Sequence, residues 1–273
     1  MKRIQSRLLC PALFLAFSVA PLSASAIVDG TLANTLSAFG TASAGEGNSA
    51  TANIGFSVDF FGTTYTTLSV NESGNITFND PGGDSDSALP TLSQAGSPMI
   101  AAFLGDVDTT GSGSVTYGDL SVNGQNAFAV DWNNVGYFSD GTNRLNSFQL
   151  LLIQGTNPDN YTIEFNYGQI QWEAGQADGG TQSGGGLGGQ SAIVGYTSTG
   201  TASGTQFELP GSSIDGAFVT GGPDSLVTNS LNSGGVAGRY EFNGSVAPEP
   251  GTTALFAGGL VAVFLFARKL RQV

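Results

Sequence analysis

Apolar residues in this chain alternate with small or polar residues in many short runs, and no long 3.6-residue periodicity appears between its two ends. Alternation with a period of two is typical of a β-strand that buries one face. Such runs lie at residues 54–60, 128–132 and 161–167, and shorter ones at 64–70, 75–78, 170–172, 192–196, 207–209 and 239–242. The pattern predicts an all-β chain folded as a single antiparallel, β-sandwich-like domain.

Two continuous apolar runs, 99–104 and 148–153, interrupt this alternation. A strand covered on both faces has no solvent side, so we expect these two runs to be central strands. Between the strands at 64–70 and 75–78, Gly74 can adopt the positive φ that a hairpin turn requires. Glycine and serine dominate residues 41–48 and 177–190, which indicates loops.

The first 26 residues have the order of a secretory signal. Three basic residues among the first seven precede an apolar stretch over 8–20, and the small residues Ala24 and Ala26 follow. We expect a signal helix over 1–26, with cleavage after Ala26. A transmembrane anchor fits less well, because Pro11 interrupts the stretch and a bilayer span needs about 20 residues.

Residues 246–273 form a second apolar segment with a different order. The triplet Pro248-Glu249-Pro250 precedes an uncharged stretch over 251–267, and three basic residues stand in 268–271: Arg268, Lys269 and Arg271. The uncharged stretch is just long enough for a transmembrane helix. Its basic end should stay in the cytoplasm while the rest of the chain faces outward.

The order of this C-terminal segment resembles the PEP-CTERM sorting signal of Gram-negative bacteria. The resemblance implies an exosortase-type processing enzyme as a partner and transient anchoring in the inner membrane. It also implies delivery to the cell surface or to an extracellular polysaccharide matrix. A permanent single-span anchor is the alternative.

Composition excludes most kinds of catalysis. The chain has no histidine, its one cysteine (Cys10) lies in the predicted signal, and residues 27–247 contain no lysine. Serine–histidine and cysteine–histidine nucleophiles, imidazole metal sites, Schiff bases and disulfides are therefore excluded from that segment. Carboxylates and tyrosine are the acids and bases left, and we expect no enzyme of a familiar type.

The segment 27–247 is strongly acidic. It holds twenty Asp and Glu residues against two basic residues, Arg144 and Arg239, which gives a formal charge of about −18. Such a surface repels nucleic acids and anionic membranes, so no nucleic-acid partner is expected. It suits cations, neutral glycans or simple solubility.

Two acidic loops resemble calcium sites. Residues 106–113 begin with alternating carboxylates and contain two glycines, as a calcium loop does, but Tyr117 stands where the bidentate acid should be. A turn shaped by Asx hydrogen bonds is the favoured alternative. The second acidic loop carries Asp80, Asp84 and Asp86, and the first would use Asp106 and Asp108 as ligands. Calcium is therefore the expected cofactor, if the protein has one, and calorimetry at millimolar calcium tests whether it binds.

Glu164 and Glu173 could serve as the acid and base of a glycosidase, because a carboxylate pair suffices for that chemistry. Glu164 alternates with core aromatic residues, however, so we expect its side chain to face solvent. Four aromatic side chains offer either a sugar-stacking platform or, more commonly in strands, core packing: Trp132, Trp172, Tyr137 and Tyr167.

The strands also carry, in order, pieces that resemble the nidogen-like (NIDO) extracellular domain between about residues 61 and 242. These pieces are Phe61-Gly62 with Tyr65; Val70-Asn71 with Gly74-Asn75-Ile76 and Phe78; Ile100-Ala101-Ala102-Phe103 with Asp106-Val107-Asp108; Val130 and Trp132 with Val135-Gly136-Tyr137; Asn146 with Phe148-Gln149-Leu150; Phe165, Tyr167, Ile170 and Trp172; Val194-Gly195-Tyr196; and Leu209-Pro210-Gly211-Ser212. The resemblance implies a module of matrix and cell-adhesion proteins over 27–245, with no established catalytic centre.

Three functions are compatible with these observations. The first is a noncatalytic, structural or adhesive surface protein of a biofilm or exopolysaccharide matrix, whose partners are polysaccharide or other surface proteins. The second is a glycan-binding module, with or without calcium. The third, and least supported, is a carboxylate-based glycan hydrolase.

Overall fold

The computed structural model describes residues 26–32, 34–35, 48–80, 89–139, 141–156, 160–181, 183–199 and 205–244. The predicted signal, apart from Ala26, and the predicted sorting tail lie outside these residues, as do Asp84 and Asp86. Within the described part of the chain, no helix is long and apolar enough to cross a membrane.

The described residues are built from strands, which confirms the all-β prediction. A single 3-10 turn at Leu92–Gln94 is the one helical element among them. The strands are β1 (Asn34–Thr35), β2 (Ser49–Phe60), β3 (Thr63–Asn71), β4 (Asn75–Thr77), β5 (Met99–Leu104), β6 (Val107–Asp108), β7 (Ser114–Val122), β8 (Gln125–Tyr137), β9 (Gly141–Gln154), β10 (Tyr161–Gln169), β11 (Ile193–Thr197), β12 (Gln206–Glu208) and β13 (Arg239–Asn243).

These strands form two antiparallel sheets. The large sheet has the order β1-β7-β8-β9-β10-β13, and β6 adds to β8. The small sheet has the order β12-β11-β5-β4-β3-β2. As predicted, β5 is a central strand whose six residues are all buried, and the apolar run 148–153 lies within β9, between β8 and β10.

The main core lies between the two sheets. Inward-facing side chains of both sheets belong to one continuous cluster, including Phe78 and Phe103 from the small-sheet side and Trp132, Phe148 and Phe165 from the large sheet. The rings of Trp132 and Phe148 stack at a centroid distance of 4.9 Å. Burial of each such ring stabilises the fold by about 2–3 kcal/mol.

The outer faces of both sheets are also partly covered. Residues 26–32, here called the strap, cross the outer face of the large sheet. Val28 and Leu32 of the strap pack against outward-facing residues such as Leu151 and Ile153. On the small sheet, Leu92 of the 3-10 turn packs with Met99 and other residues of a second cluster. A β-face covered in this way no longer has to be polar.

One predicted strand is absent, and three observed strands were not predicted. The strand predicted at 170–172 is absent, because the backbone N–H groups of Gln171 and Trp172 donate to the Asn146 side chain at 2.7 and 3.3 Å. Conversely, β7 and the short strands β1 and β6 were not predicted. The loop predicted at 177–190 is confirmed in its described residues, which contain no named strand.

Candidate functional site

Asp106 and Asp108, the first carboxylates of the predicted calcium loop, lie on either side of Val107 around β6. The Oδ2 atom of Asp106 accepts a hydrogen bond from the backbone N–H of Ala177 at 3.0 Å. The Oδ1 atom of Asp108 accepts one from the backbone N–H of Thr110 at 2.7 Å. The second bond is the Asx turn that the alternative interpretation of this loop required.

The second predicted calcium loop is described only at Asp80. Its Oδ2 atom accepts a hydrogen bond from the Ser97 hydroxyl at 2.8 Å. Among the described residues, no three His, Cys, Asp or Glu side chains form a group that could hold a metal ion. Calcium binding stays a prediction.

Glu72 is a buried carboxylate that the sequence analysis treated only as part of a hairpin turn. Its Oε1 atom accepts hydrogen bonds from the backbone N–H and the hydroxyl of Thr109 at 3.0 and 2.6 Å. Its backbone oxygen accepts the indole N–H of Trp132 at 2.9 Å. Thr109 is 37 residues away, so no local signal could have revealed that Glu72 joins the β3–β4 turn to the loop after β6.

Glu164 does not face solvent, so that prediction was wrong. The residue is 4 % exposed, its Oε1 atom lies 3.2 Å from Nε of Arg239, and it accepts a hydrogen bond from the Asn166 side chain at 2.7 Å. Burial raises the pKa of Glu164, whereas Asn166 and Arg239 lower it. A paired, buried carboxylate of this kind is a structural group.

The pair formed by Glu164 and Arg239 adjoins a polar row that crosses the outer face of the large sheet. In this row Asp131 stands opposite Gln149, Gln149 opposite Asn166, and Asn166 opposite Arg239. The strap closes over the row, because the Gln149 side chain bonds both the N–H and the oxygen of Val28, at 3.1 and 3.0 Å. Arg239 also donates to the backbone oxygen of Ala26, the residue before the predicted cleavage point, at 3.3 Å.

Asp131 makes the stability of this row depend on pH. Burial raises its pKa to about 6, although a 2.7 Å hydrogen bond from Gln149 lowers it. Since the folded-state pKa lies above the ordinary value of 3.8, folding favours the protonated form. Stability is therefore gained as pH falls from about 6 towards 4 and is lost as pH rises through that window.

We expect Asp131→Asn to raise the free energy of unfolding by about 1–2 kcal/mol at pH 7.5, because it removes a buried charge and keeps an acceptor for Gln149. The gain should shrink towards zero at pH 4, where the wild-type carboxyl is protonated. Urea unfolding at pH 4, 5, 6 and 7.5 measures both values. An equal difference at every pH would contradict the assigned titration.

Glu173 is fully buried and holds a loop. Its Oε1 atom accepts the backbone N–H groups of Phe218 and Val219 at 2.6 and 3.1 Å, and its Oε2 atom accepts that of Gly216 at 2.8 Å. Burial raises the pKa of Glu173, and these backbone donors lower it. Both carboxylates proposed for a glycosidase are thus engaged in structural bonds, and neither lines the clefts described below.

The four aromatic residues considered as a sugar platform are core residues. Each is at most 1 % exposed, and each polar ring atom has an internal acceptor, for example the Ala102 oxygen for the Tyr167 hydroxyl at 2.5 Å. A sugar cannot stack on a ring that solvent does not reach. These residues are Trp132, Trp172, Tyr137 and Tyr167.

Two open clefts among the described residues have a volume of about 370 Å³ each. The edge groove lies where β2 of the small sheet meets β7 of the large sheet, and its lining includes Asn34, Thr51, Asn53, Tyr117, Asp119 and Phe128. The arginine cleft lies beside β9, and its lining is Asn143, Arg144, Ile170, Gln171, Val219 and Thr220. Sequence reasoning found neither, because each joins segments far apart in the chain. The one available signal was that Arg144 is one of two basic residues in 27–247.

Much of this chain is similar in sequence to known proteins. The family model described as NIDO related matches residues 25–216. Nidogen of Drosophila melanogaster is 30% identical over 152 residues, which cover 45% of this chain and 11% of nidogen. The chain therefore spans only about a tenth of the curated relative that it matches. No solved structure matches. Because the family model covers well over half of the sequence, the chain belongs to the NIDO-related family.

Proposed function

We propose that this protein is a noncatalytic, structural or adhesive component of the extracellular matrix of a Gram-negative bacterium, such as a biofilm or exopolysaccharide. The N-terminal signal exports it, and the Pro248-Glu249-Pro250 tail is processed by an exosortase-type enzyme after transient anchoring in the inner membrane. Its partners are extracellular polysaccharide or other surface proteins.

The observation that carries this proposal is the family match over residues 25–216. NIDO domains are modules of matrix and adhesion proteins. The described residues of this chain are all-β, and its sequence has no histidine and no cysteine outside the predicted signal. The candidate catalytic carboxylates also argue against hydrolysis. Glu164 is paired with Arg239, and Glu173 is occupied by three backbone donors.

Glycan binding is the second candidate function, and the two clefts favour it. Sites for small ligands are concave and combine apolar surface with a few polar groups. The edge groove offers the amide side chains of Asn34 and Asn53 beside the Tyr117 ring. The acidic surface as a whole disfavours a nucleic acid as the ligand.

The proposed location is tested in the producing bacterium with the full chain and a variant in which Pro248, Glu249 and Pro250 are all alanine. We expect surface labelling of intact cells to modify the wild-type protein, which should fractionate with the extracellular matrix. The variant should stay in the inner-membrane fraction, because the sorting triplet is missing. Immunoblotting of the two fractions measures the distribution.

Two outcomes would contradict the proposed function. Finding the uncleaved chain in the cytosol would remove the extracellular role. Release of reducing sugar from the host's own polysaccharide, abolished by Glu164→Gln or Glu173→Gln, would replace the structural role with hydrolysis.

A further inference from the structure

The two arginines of this acidic chain have different environments. In the described part of the chain, the one ion pair joins Arg239 to Glu164. Arg144 is exposed at the arginine cleft and has no carboxylate partner among the described residues. With no ion-pair partner among the described residues, this guanidinium is a local reversal of charge in a segment that holds twenty acids. At physiological salt, charges more than about 8 Å away are largely screened.

Arg144 and Gln171 place hydrogen-bond donors at this cleft. Arg144 uses one N–H to bond the backbone oxygen of Gln171 at 3.3 Å, which holds the guanidinium at the cleft. The Oε1 atom of Gln171 accepts the backbone N–H of Leu145 at 3.0 Å, so the amino group of that side chain is the part left for a ligand. A planar guanidinium beside an amide donor suits a carboxylate, which accepts two parallel hydrogen bonds.

The cleft also contains one aliphatic side chain and a fixed hydroxyl group. Val219 is half-buried and contributes the aliphatic surface, whereas Ile170 is fully buried. Thr220 is bonded to the Ile170 oxygen through its N–H at 2.9 Å and its hydroxyl at 3.2 Å. The backbone N–H of Val219 donates a hydrogen bond to Glu173, which fixes the position of Val219. The aliphatic surface of Val219, in the same cleft as the donors of Arg144 and Gln171, matches a sugar ring, which carries both C–H surface and oxygen acceptors.

The sheet around the cleft argues against an acidic peptide. A peptide bound by strand addition needs an unpaired strand edge. β9 pairs with β8 and, from Ser147 to Gln154, with β10. Beyond that ladder, at the cleft, the N–H and the oxygen of Leu145 bond the side chains of Gln171 and Gln169 at 3.0 and 2.9 Å. The cleft therefore offers side-chain donors but no free edge.

We propose that the arginine cleft binds a uronic acid unit of an acidic polysaccharide, with Arg144 and Gln171 holding its carboxylate. This inference deepens the proposed matrix function and rests on it for the origin of the polymer. Ligands that offer one carboxylate to one exposed arginine bind weakly, so we expect a dissociation constant in the millimolar range.

The test is an NMR titration of the purified full-length protein with sodium glucuronate and with glucose, which lacks the carboxylate. We expect glucuronate to bind at least tenfold more tightly than glucose. Arg144→Gln should weaken glucuronate binding at least tenfold, and Arg144→Lys should weaken it less, because it keeps the charge and loses the planar fork. Asn126→Ala removes an exposed amide near the β7–β8 turn that lines neither cleft; it is the matched control and should leave binding unchanged.

Gln171→Glu decides the question even if the Arg144 variants fail to fold. It keeps an oxygen for the Leu145 N–H but places a negative charge beside the ligand, so it should also weaken binding at least tenfold. Equal binding of glucose, or wild-type affinity in both Arg144→Gln and Gln171→Glu, would overturn the proposal. Equal binding of a short polyglutamate would show that a carboxylate is recognised without a sugar, and would overturn it too.

Failure of the site and failure of the proposed function are separable. If the wild-type protein and Arg144→Gln are retained equally by the matrix, the site proposal fails while the matrix function stands. If the wild-type protein is not retained, the matrix function fails, and the soluble titration still decides the site.

Discussion

Replacing Gly74 with alanine is expected to lower the free energy of unfolding by about 3–5 kcal/mol. Gly74 ends the β3–β4 turn with φ at 84°, a conformation that favours glycine. A methyl group on its Cα would collide with the carbonyl oxygen of Phe103 and would lie 3.3 Å from the ring of Phe148. The turn cannot move aside easily, because the Gly74 oxygen accepts the N–H of Phe103 at 3.0 Å.

Gly62→Ala is the matched control for this change. Gly62 has nearly the same φ, 81°, but no atom lies within 4 Å of the position its Cβ would take. Gly62→Ala should therefore lower the free energy of unfolding only by the conformational cost of a left-handed residue, about 1 kcal/mol. Urea unfolding followed by tryptophan fluorescence compares the two variants with the wild type. Equal losses would show that the contact with Phe103 has no energetic weight.

The period of apolar residues predicted most strands, and two of its failures have the same physical reason. The prediction for Glu164 assumed that the outer face of the large sheet meets water, whereas the strap covers it. The same cover explains why β7 was missed. Val115 and Tyr117 face the main core, but Leu120 and Val122 face the strap side, so the apolar positions shift from odd to even numbers within one strand.

The candidate site was less predictable than the fold, because its parts come from distant segments. The Asx turn at Asp108 spans two residues and was anticipated. The arginine cleft instead joins residues 143–144, 170–171 and 219–220. Neither charge nor spacing shows that these three segments meet, since their contacts depend on the paired strands β9 and β10 and on the loop held by Glu173.

Glu173→Ala is expected to lower the free energy of unfolding by about 3 kcal/mol, because it leaves three backbone N–H groups without their acceptor. The loop over 216–219 should loosen first. Since Val219 and Thr220 form one wall of the arginine cleft, glucuronate binding should also be lost under conditions where the protein is still folded. Urea unfolding and the glucuronate titration measure the two effects on the same sample.

Two further variants separate the role of this carboxylate from a general effect of removing charge. Glu173→Gln keeps an oxygen for Phe218 and Val219 but turns an amino group towards the N–H of Gly216. It should therefore lower the free energy of unfolding by less, about 1–2 kcal/mol.

Glu241 is half-buried and stands opposite Glu164, another carboxylate. Glu241→Ala should therefore change stability by no more than about 0.5 kcal/mol. A loss in Glu241→Ala as large as that in Glu173→Ala would show that net charge, and not the three hydrogen bonds, governs stability. Retention of wild-type glucuronate affinity in folded Glu173→Ala would show that the cleft wall does not depend on Glu173.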